Sequence, residues 1–446
     1  MSVELLARIQ FALTVGFHYL YPPLSIGLGV LIVCLEGRWF FSQDPLYRRL
    51  SEFWTRIFGL TFAVGVATGI VMEFEFGTNW ASYSRFVGDV FGSPLAAEGV
   101  FAFFLESIFL GVLLFGRGRV TPRFYLASSV LVALGAHLSA FWIIVANSWQ
   151  QTPAGFHIVG EGLKARAEIT DFWAMVFNPS TLDRYSHVLG GAWMTGAFFM
   201  VSVSAYYLLR KRHEDGAKAS LKTGLALAAL ASILQLGTGH VSAITVAKHQ
   251  PAKLAAFEGL YETRTWAPLY AFGWVDAKNE RVIGLPVPGL LSLLVHFDPR
   301  VPVTGLREIP AQDRPPVNFV FQTYHIMIGL GMLMIGLSAA GLFFWWRGSL
   351  FEQRWLLRAY LPSFLLPQIA NQTGWISAEV GRQPWIVYNL LRTSQGFSKT
   401  VGASEILFSL ILFALLYALI FILFAMTLWN KIEHGPDEAT QEPTWT

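Results

Sequence analysis

About nine stretches of roughly 20 or more mainly apolar residues divide this chain, and nothing else in it constrains the fold as strongly, because about 20 such residues in a helix cross the hydrocarbon core of a bilayer. They cover roughly 10–38, 54–78, 95–116, 124–147, 185–210, 219–247, 317–346, 355–379 and 403–430. In lipid a backbone must satisfy its own hydrogen bonds, so the expected fold is an all-α integral membrane bundle. Composition agrees: 54% of the 446 residues are hydrophobic and 14% charged, against roughly 25% charged in a soluble domain. That excludes a soluble enzyme and a disordered chain. A net charge of +3 without a concentrated basic face predicts no nucleic-acid partner. Cys34 is the single cysteine and lies in an apolar run, which excludes intrachain disulfides and sites built from several thiolates.

The first stretch is expected to be a permanent span rather than a signal peptide, since Glu4 accompanies Arg8 and no A-x-A-like site precedes Arg38. Pro22 and Pro23 within it predict a kink or a local opening, which lipid tolerates only where neighbours satisfy the freed carbonyls. Alternate connections collect positive charge: Arg38, Arg48 and Arg49; Arg117, Arg119 and Arg123; Arg210, Lys211, Arg212 and Lys218; Arg347, Arg354 and Arg358; then Lys431. The positive-inside rule therefore predicts an outward N-terminus and a cytoplasmic C-terminus. The longest non-spanning segment, 248–316, falls outside. No repeat of fixed period is visible.

Ionisable groups at membrane depth are costly and normally face a bundle interior. In this orientation His18, Glu73, Glu75, Glu98, Glu106, His187, His240, His325, Met327 and Glu379 gather in the outer half. An isolated intramembrane histidine commonly bonds a carbonyl, and His137, with only Ser139 as a polar neighbour, is read that way. His18 and His187, each opposite other candidate ligands at its depth, are read as ligands. Glu98 and Glu106, about two turns apart on one helix, suit a proton relay, with protonated packing groups as the alternative. With no thiolate site available, haem iron is the metal that a sparse set of His, Met and Glu serves best: a His–Met pair gives a low-spin centre for electron transfer, and a single ligand leaves a position for oxygen. Zinc or copper would want several histidines at close spacing, and none occurs.

Five segments carry a resemblance: RIQFALTVGFHYLYPPLSIG (8–27), GVATGIVMEFEFGTNW (65–80), GSPLAAEGVFAFFLES (92–107), QPAKLAAFEG (250–259) and GWISAEVGRQPW (374–385). Together they resemble subunit I of the cytochrome bd quinol oxidases, over nearly the whole chain, and the short 248–316 segment resembles the truncated-loop branch to which cyanide-insensitive oxidases belong. The resemblance implies oxidation of quinol and reduction of dioxygen to water in a bacterial cytoplasmic (inner) membrane. It also implies three haems, a second large membrane subunit (subunit II) and a small single-span one. By position, His187 and Met327 resemble the axial pair of low-spin haem b, while His18 and Glu379 resemble the ligands of a high-spin haem b and haem d, with the pairing open. Glu98, Glu106, Ser107 and Ser139 resemble proton-path and haem-site residues, Trp375 an aromatic group beside the haem pair, and Lys253 and Glu258 the quinol-interacting residues. One departure stands out: His325 replaces the arginine that the better-known branch carries two residues before the axial methionine, and it could compete as a ligand.

The expected organisation is helices one to six with haem ligands and proton path over 1–247, an outer quinol-binding loop over 248–316, helices seven to nine over 317–431, and a cytoplasmic tail over 432–446. Quinol oxidised outside and protons taken up inside would build a gradient without pumping. Two other classes compete: an ion-coupled secondary transporter, disfavoured by the missing repeat and one-sided polar cluster, and a membrane cytochrome b of a quinone-reducing complex, distinguished by whether oxygen is consumed.

Overall fold

Pro22 and Pro23 break the first predicted span. In the computed structural model, which describes residues 2–436, α1 (Val3–His18) stops short of the pair and α2 (Pro22–Ser42) starts on it. Proline donates no backbone hydrogen bond and crowds the preceding turn. At the break two carbonyls are met by side chains from far along the sequence: Gln372 Nε2 donates to Gly16 O at 2.8 Å and Gln368 Nε2 to Leu20 O at 3.0 Å.

α3 (Pro45–Thr78) begins under Asp44, whose carboxylate accepts from Leu46 N at 2.9 Å. α4 (Ala81–Ala97) passes through a π-helical turn, Glu98–Phe103, into α5 (Phe104–Phe115), and α6 (Pro122–Gln151) starts under a Thr121 cap. A small hairpin, β1 (Phe156–Val159) with β2 (Arg166–Ile169), and α7 (Phe172–Val176) lead to the long antiparallel pair α8 (Thr181–Arg210) and α9 (Glu214–His249). The next connection holds α10 (Pro251–Glu258), the antiparallel hairpin β3 (Leu269–Asp276) with β4 (Arg281–Val287), and α11 (Leu290–His296). Then come α12 (Val317–Trp346), α13 (Arg354–Tyr360), α14 (Leu365–Val380), the hairpin β5 (Trp385–Val387) with β6 (Leu391–Arg392), α15 (Thr393–Gly396) and α16 (Ala403–His434).

Among the described residues, eight helical stretches are long and apolar enough to cross a membrane, the broken α1–α2 run counting as one. The predicted span 355–379 adds an interrupted helix: α13 gives way at Leu361–Phe364 to a 3₁₀ turn containing Pro362 before α14 resumes. Of the predicted tail, residues 437–446 lie outside the described residues.

The bundle has a loop-rich end, with the three hairpins and α7, α10, α11 and α15, and an arginine-rich end. At its centre α2 and α8 touch backbone to backbone. A Cβ on Gly27 would lie 2.8 Å from Gly196 Cα, so only glycine permits this approach. Leu28, Leu31, Ile32, Leu35, Phe58 and Phe198 pack around the contact and are buried. By contrast α16 bares Phe408, Leu415 and Met426, as expected of a lipid-facing helix. At the arginine-rich end Glu36 is fully buried, accepting from Ser51 and paired with Arg117, whose guanidinium lies 3.7 Å above the Tyr125 ring. The charge is tolerable there because it is both paired and hydrogen-bonded.

Candidate haem and proton sites

The intramembrane histidines separate by what holds their ring nitrogens. His18 Nδ1 is 3.0 Å from Thr68 Oγ1, and that hydroxyl already donates to Val64 O at 2.9 Å. In the tautomer protonated on Nδ1 the threonine oxygen accepts from His18, and no hydrogen bond is made to Nε2 among the described residues. His187 repeats the device. Its Nδ1 faces Thr238 Oγ1 at 3.3 Å, while Thr238 donates to Leu234 O at 2.9 Å. Holding one ring nitrogen so that the other can bind metal is how proteins fix a ligating imidazole. Facing glycines make room, since a Cβ on Gly69 would lie 3.2 Å from His18 Cε1 and one on Gly239 3.4 Å from His187 Cε1.

His137 and His325 differ. His137 lies 2.7 Å from Ala133 O on one nitrogen and accepts from Trp193 Nε1 at 3.0 Å on the other. His325 is held between Phe321 O and Tyr270 O, both at 2.8 Å. Both nitrogens of each ring lie against a protein group, so the geometry gives no support to His325 as a competing ligand. His240 packs edge-on against Phe297, 5.4 Å between ring centres.

Met327 on α12 meets α14 at a glycine. A Cβ on Gly374 would lie 2.6 Å from the Met327 sulfur, and half-buried Trp375 follows directly. Glu379, one turn on, is a hub: Asn147 Nδ2 and Gln151 Nε2 each donate to Oε1 at 3.1 Å, Arg382 pairs with Oε2, and Arg184 Nη2 stands 3.9 Å away. Arg184 also donates to Asn147 Oδ1 at 2.7 Å, and Arg382 to Gln150 Oε1 at 2.9 Å. Asn147, Gln150, Gln151, Arg184 and Arg382 were not singled out from the sequence. The signal was present, as three amides at i, i+3 and i+4 closing an apolar span and an arginine one turn before His187.

Ser139 Oγ donates to Glu98 Oε1 at 2.7 Å. Glu106 is buried, and Gly135 of α6 lies so close that a Cβ there would be 3.1 Å from Glu106 Cα. Ser107 Oγ is buried without a partner. In a regular α-helix eight residues turn through about 800°, leaving two side chains about 80° out of line. The π-helical turn at Glu98–Phe103 rotates less per residue and so brings Glu98 and Glu106 nearer one face.

Lys253 and Glu258 share α10 but are five residues apart, about 140° around the helix, and do not meet. Lys253 turns inward, donating to Gln151 Oε1 and, at 2.7 Å, to Gln250 Oε1. Burial holds its ammonium well below the ordinary lysine range, reinforced by Arg184 and Arg382 and opposed by Glu379. Glu258 turns the other way, beside Phe257, whose ring stacks on Tyr324 at 4.2 Å. Its Oε2 is buried and unpartnered, and burial pushes the carboxyl up to about 8. A second carboxyl that sequence reasoning left without a role, Glu75, is buried between α1, α3 and α16, where Thr14 donates to it at 2.7 Å and Tyr417 donates to Thr14 at 3.2 Å.

These features define a multi-pass membrane protein whose loop-rich half carries two imidazoles whose Nε2 atoms make no hydrogen bond among the described residues, a thioether and buried carboxyls, a donor set suited to haem. The family model described as cytochrome bd terminal oxidase subunit I matches residues 6–436, and the chain belongs to that family. It is 40% identical to cytochrome bd ubiquinol oxidase subunit 1 of Bacillus subtilis, over 98% of this chain and 95% of that one. Identity to cytochrome bd-II ubiquinol oxidase subunit 1 of Escherichia coli is 35%, over 98% of each. Its fold is similar to the bd oxidase structure from Geobacillus thermodenitrificans, with a TM-score of 0.90 and 32% identity, covering 97% of this chain and 99% of that one.

Proposed function

We propose that this chain is the haem- and quinol-binding subunit of a quinol:oxygen oxidoreductase, a terminal respiratory oxidase of the bacterial inner membrane. The observation that carries the reading is the matched pair of histidines, His18 and His187, each with Nδ1 against a threonine hydroxyl and with no hydrogen bond to Nε2 among the described residues. His187 and Met327 would hold a low-spin haem b. His18 and Glu379 would serve a high-spin haem b and haem d, with Trp375 alongside. Bound haem supplies one-electron transfer from quinol and the place where dioxygen is reduced to water.

The protein's own residues handle protons. Glu258 takes a hydroxyl proton from quinol, a task suited to an unpartnered carboxyl with a pKa raised to about 8. Lys253 acts from the other face of α10, fastening that helix through Gln151 to the Glu379 cluster. Glu106 and Glu98, with Ser107 and Ser139, carry protons toward the haem sites. The positive charge of the arginine-rich end supports a cytoplasmic C-terminus, with the N-terminus and the 248–316 quinol loop outside. Quinol protons then leave outward, and protons for water arrive from the cytoplasm, giving a gradient without a pump. As subunit I of an oxidase the chain works with subunit II, and we include a small single-span subunit in the assembly. The organisation proposed is that of 1–247 and 317–431 as haem-bearing helices around the quinol loop.

The test is optical. Spectra of the purified complex, oxidised and then reduced by dithionite or by quinol, should show low-spin haem b bands and a chlorin band at the red end, with oxygen consumed on quinol addition. An assembled complex without haem would overturn the reading.

A further inference from the structure

The hairpin β3–β4 has one covered face and one bare face. The cross-strand pair Val275 and Val282 turns inward over Gly259, the residue after Glu258; a Cβ on Gly259 would lie 3.1 Å from Val275 Cγ2. The next pair, Trp274 and Ile283, turns outward and is 60% and 57% exposed, with Phe272 at 66% and Leu285 at 53% beside it. That leaves on the order of 400 Å² of apolar, largely aromatic surface, as much as the largest patch on a typical soluble monomer. The charges lie at the tip instead: Arg281 is 3.6 Å from Asp276, and Glu280 is held by Arg307 at 2.7 Å and Arg314 at 3.3 Å.

The hairpin's height follows from the helix that holds it. Val275 N donates to Asn318 Oδ1 at 2.9 Å, Gln322 Nε2 to Gly273 O at 2.7 Å, and His325 bonds Tyr270 O, so the anchors are the first turns of α12. A helix of 30 residues is about 45 Å long, roughly 15 Å more than the hydrocarbon core. With Trp346 at the arginine-rich interface, those first turns stand at headgroup level. Phe319 and Ile326, 53% and 45% exposed, lie on one stripe of α12 within about 60° of Gln322, and continue the bare hairpin face onto the lipid-facing side of the helix. Exposed tryptophan and phenylalanine above a lipid-facing stripe, with charge set apart at the tip, is the pattern of an element lying in the membrane interface.

We propose that the β3–β4 hairpin is embedded in the outer headgroup region with Phe272, Trp274, Ile283 and Leu285 against lipid chains. The lipid contact stands independently of the role given to Glu258. The test uses the assembled oxidase in lipid nanodiscs, on a Cys34→Ser background, with a nitroxide attached to Trp274→Cys, Ile283→Cys or Lys278→Cys. Collision with oxygen, which concentrates among acyl chains, is compared with collision with a water-soluble nickel chelate. Embedding requires oxygen to dominate at 274 and 283 and nickel to dominate at 278. Nickel access at all three positions, or immobile labels at 274 and 283 shielded from both reagents, would overturn it in favour of water or a covering protein. If Trp274→Cys fails to assemble, Ile283→Cys decides alone. Loss of quinol oxidation in Glu258→Gln leaves these ratios unchanged, so the site reading and the hairpin proposal fail separately.

Discussion

Gly374→Ala offers a direct test of the Met327 assignment, because the perturbation is one methyl group placed at the sulfur. The new Cβ would lie 2.6 Å from Met327 Sδ, where ordinary contact is 3.4–4 Å, so the sulfur must retreat by about an ångström. Methionine is flexible, and overpacking of this kind costs about 1–3 kcal/mol. A ligated sulfur cannot retreat that far and keep its bond, so the strain falls on the ligated form. At about 1.4 kcal/mol per tenfold, and about 59 mV per tenfold for a one-electron centre, strain borne wholly by the reduced form would lower the low-spin haem potential by roughly 40–130 mV, which is the ceiling of the shift. The sign follows from the methionine ligand, which raises the potential. The assay is a spectrally monitored redox titration of the purified oxidase, with Gly329→Ala on α12, the helix of Met327, as control, since nothing lies within 4 Å of that position. An assembled Gly374→Ala enzyme with an unmoved midpoint and an unaltered low-spin band would refute Met327 as the ligand.

Glu106→Gln should slow oxygen reduction at least tenfold, taking a relay carboxyl as a general acid–base group, while quinol still reduces the low-spin haem; flash-flow spectroscopy separates the two steps, and wild-type turnover would remove the relay. His187→Ala should abolish the low-spin signal, whereas His137→Ala, whose ring is satisfied by Ala133 and Trp193, should leave every haem band in place. Because Glu258 holds its proton up to about pH 8, quinol oxidation should rise from pH 6 to 8, and Glu258→Gln should flatten that limb of the profile. The same raised pKa works against the folded state as pH climbs from the ordinary carboxyl range through about 8, since the unfolded chain gives up a proton that the folded one keeps; the melting temperature of wild type relative to Glu258→Gln should fall across that window. Arg117→Ala strands the buried Glu36 carboxylate and should cost about 3–5 kcal/mol, read as earlier thermal unfolding.

The helices were legible because apolar stretches of membrane length admit few alternatives, and the polar residues within them were legible because lipid makes them expensive. Direction of the side chains was not. Lys253 and Glu258 read as one pair in sequence, yet α10 sends them to opposite sides, one toward Gln151 and the other toward Tyr324. The π-helical turn at Glu98–Phe103 has no residue signature, although it decides how Glu98 lines up with Glu106. In sequence His325 is free to ligate; in the fold its nitrogens lie against the carbonyls of Phe321 and Tyr270, the latter delivered by the β3–β4 hairpin. Those partners are 4 and 55 residues away, and only folding introduces the second.

The broken first span also has a consequence for how the protein is made. The carbonyls of Gly16 and Leu20 wait for Gln372 and Gln368, 356 and 348 residues later in the chain. At about 5–20 residues per second, the ribosome delivers those amides roughly 20–70 s after the first span has emerged. Until then the joint between α1 and α2 lacks its side-chain donors, so the helix carrying His18 is fastened only once α14 has been made.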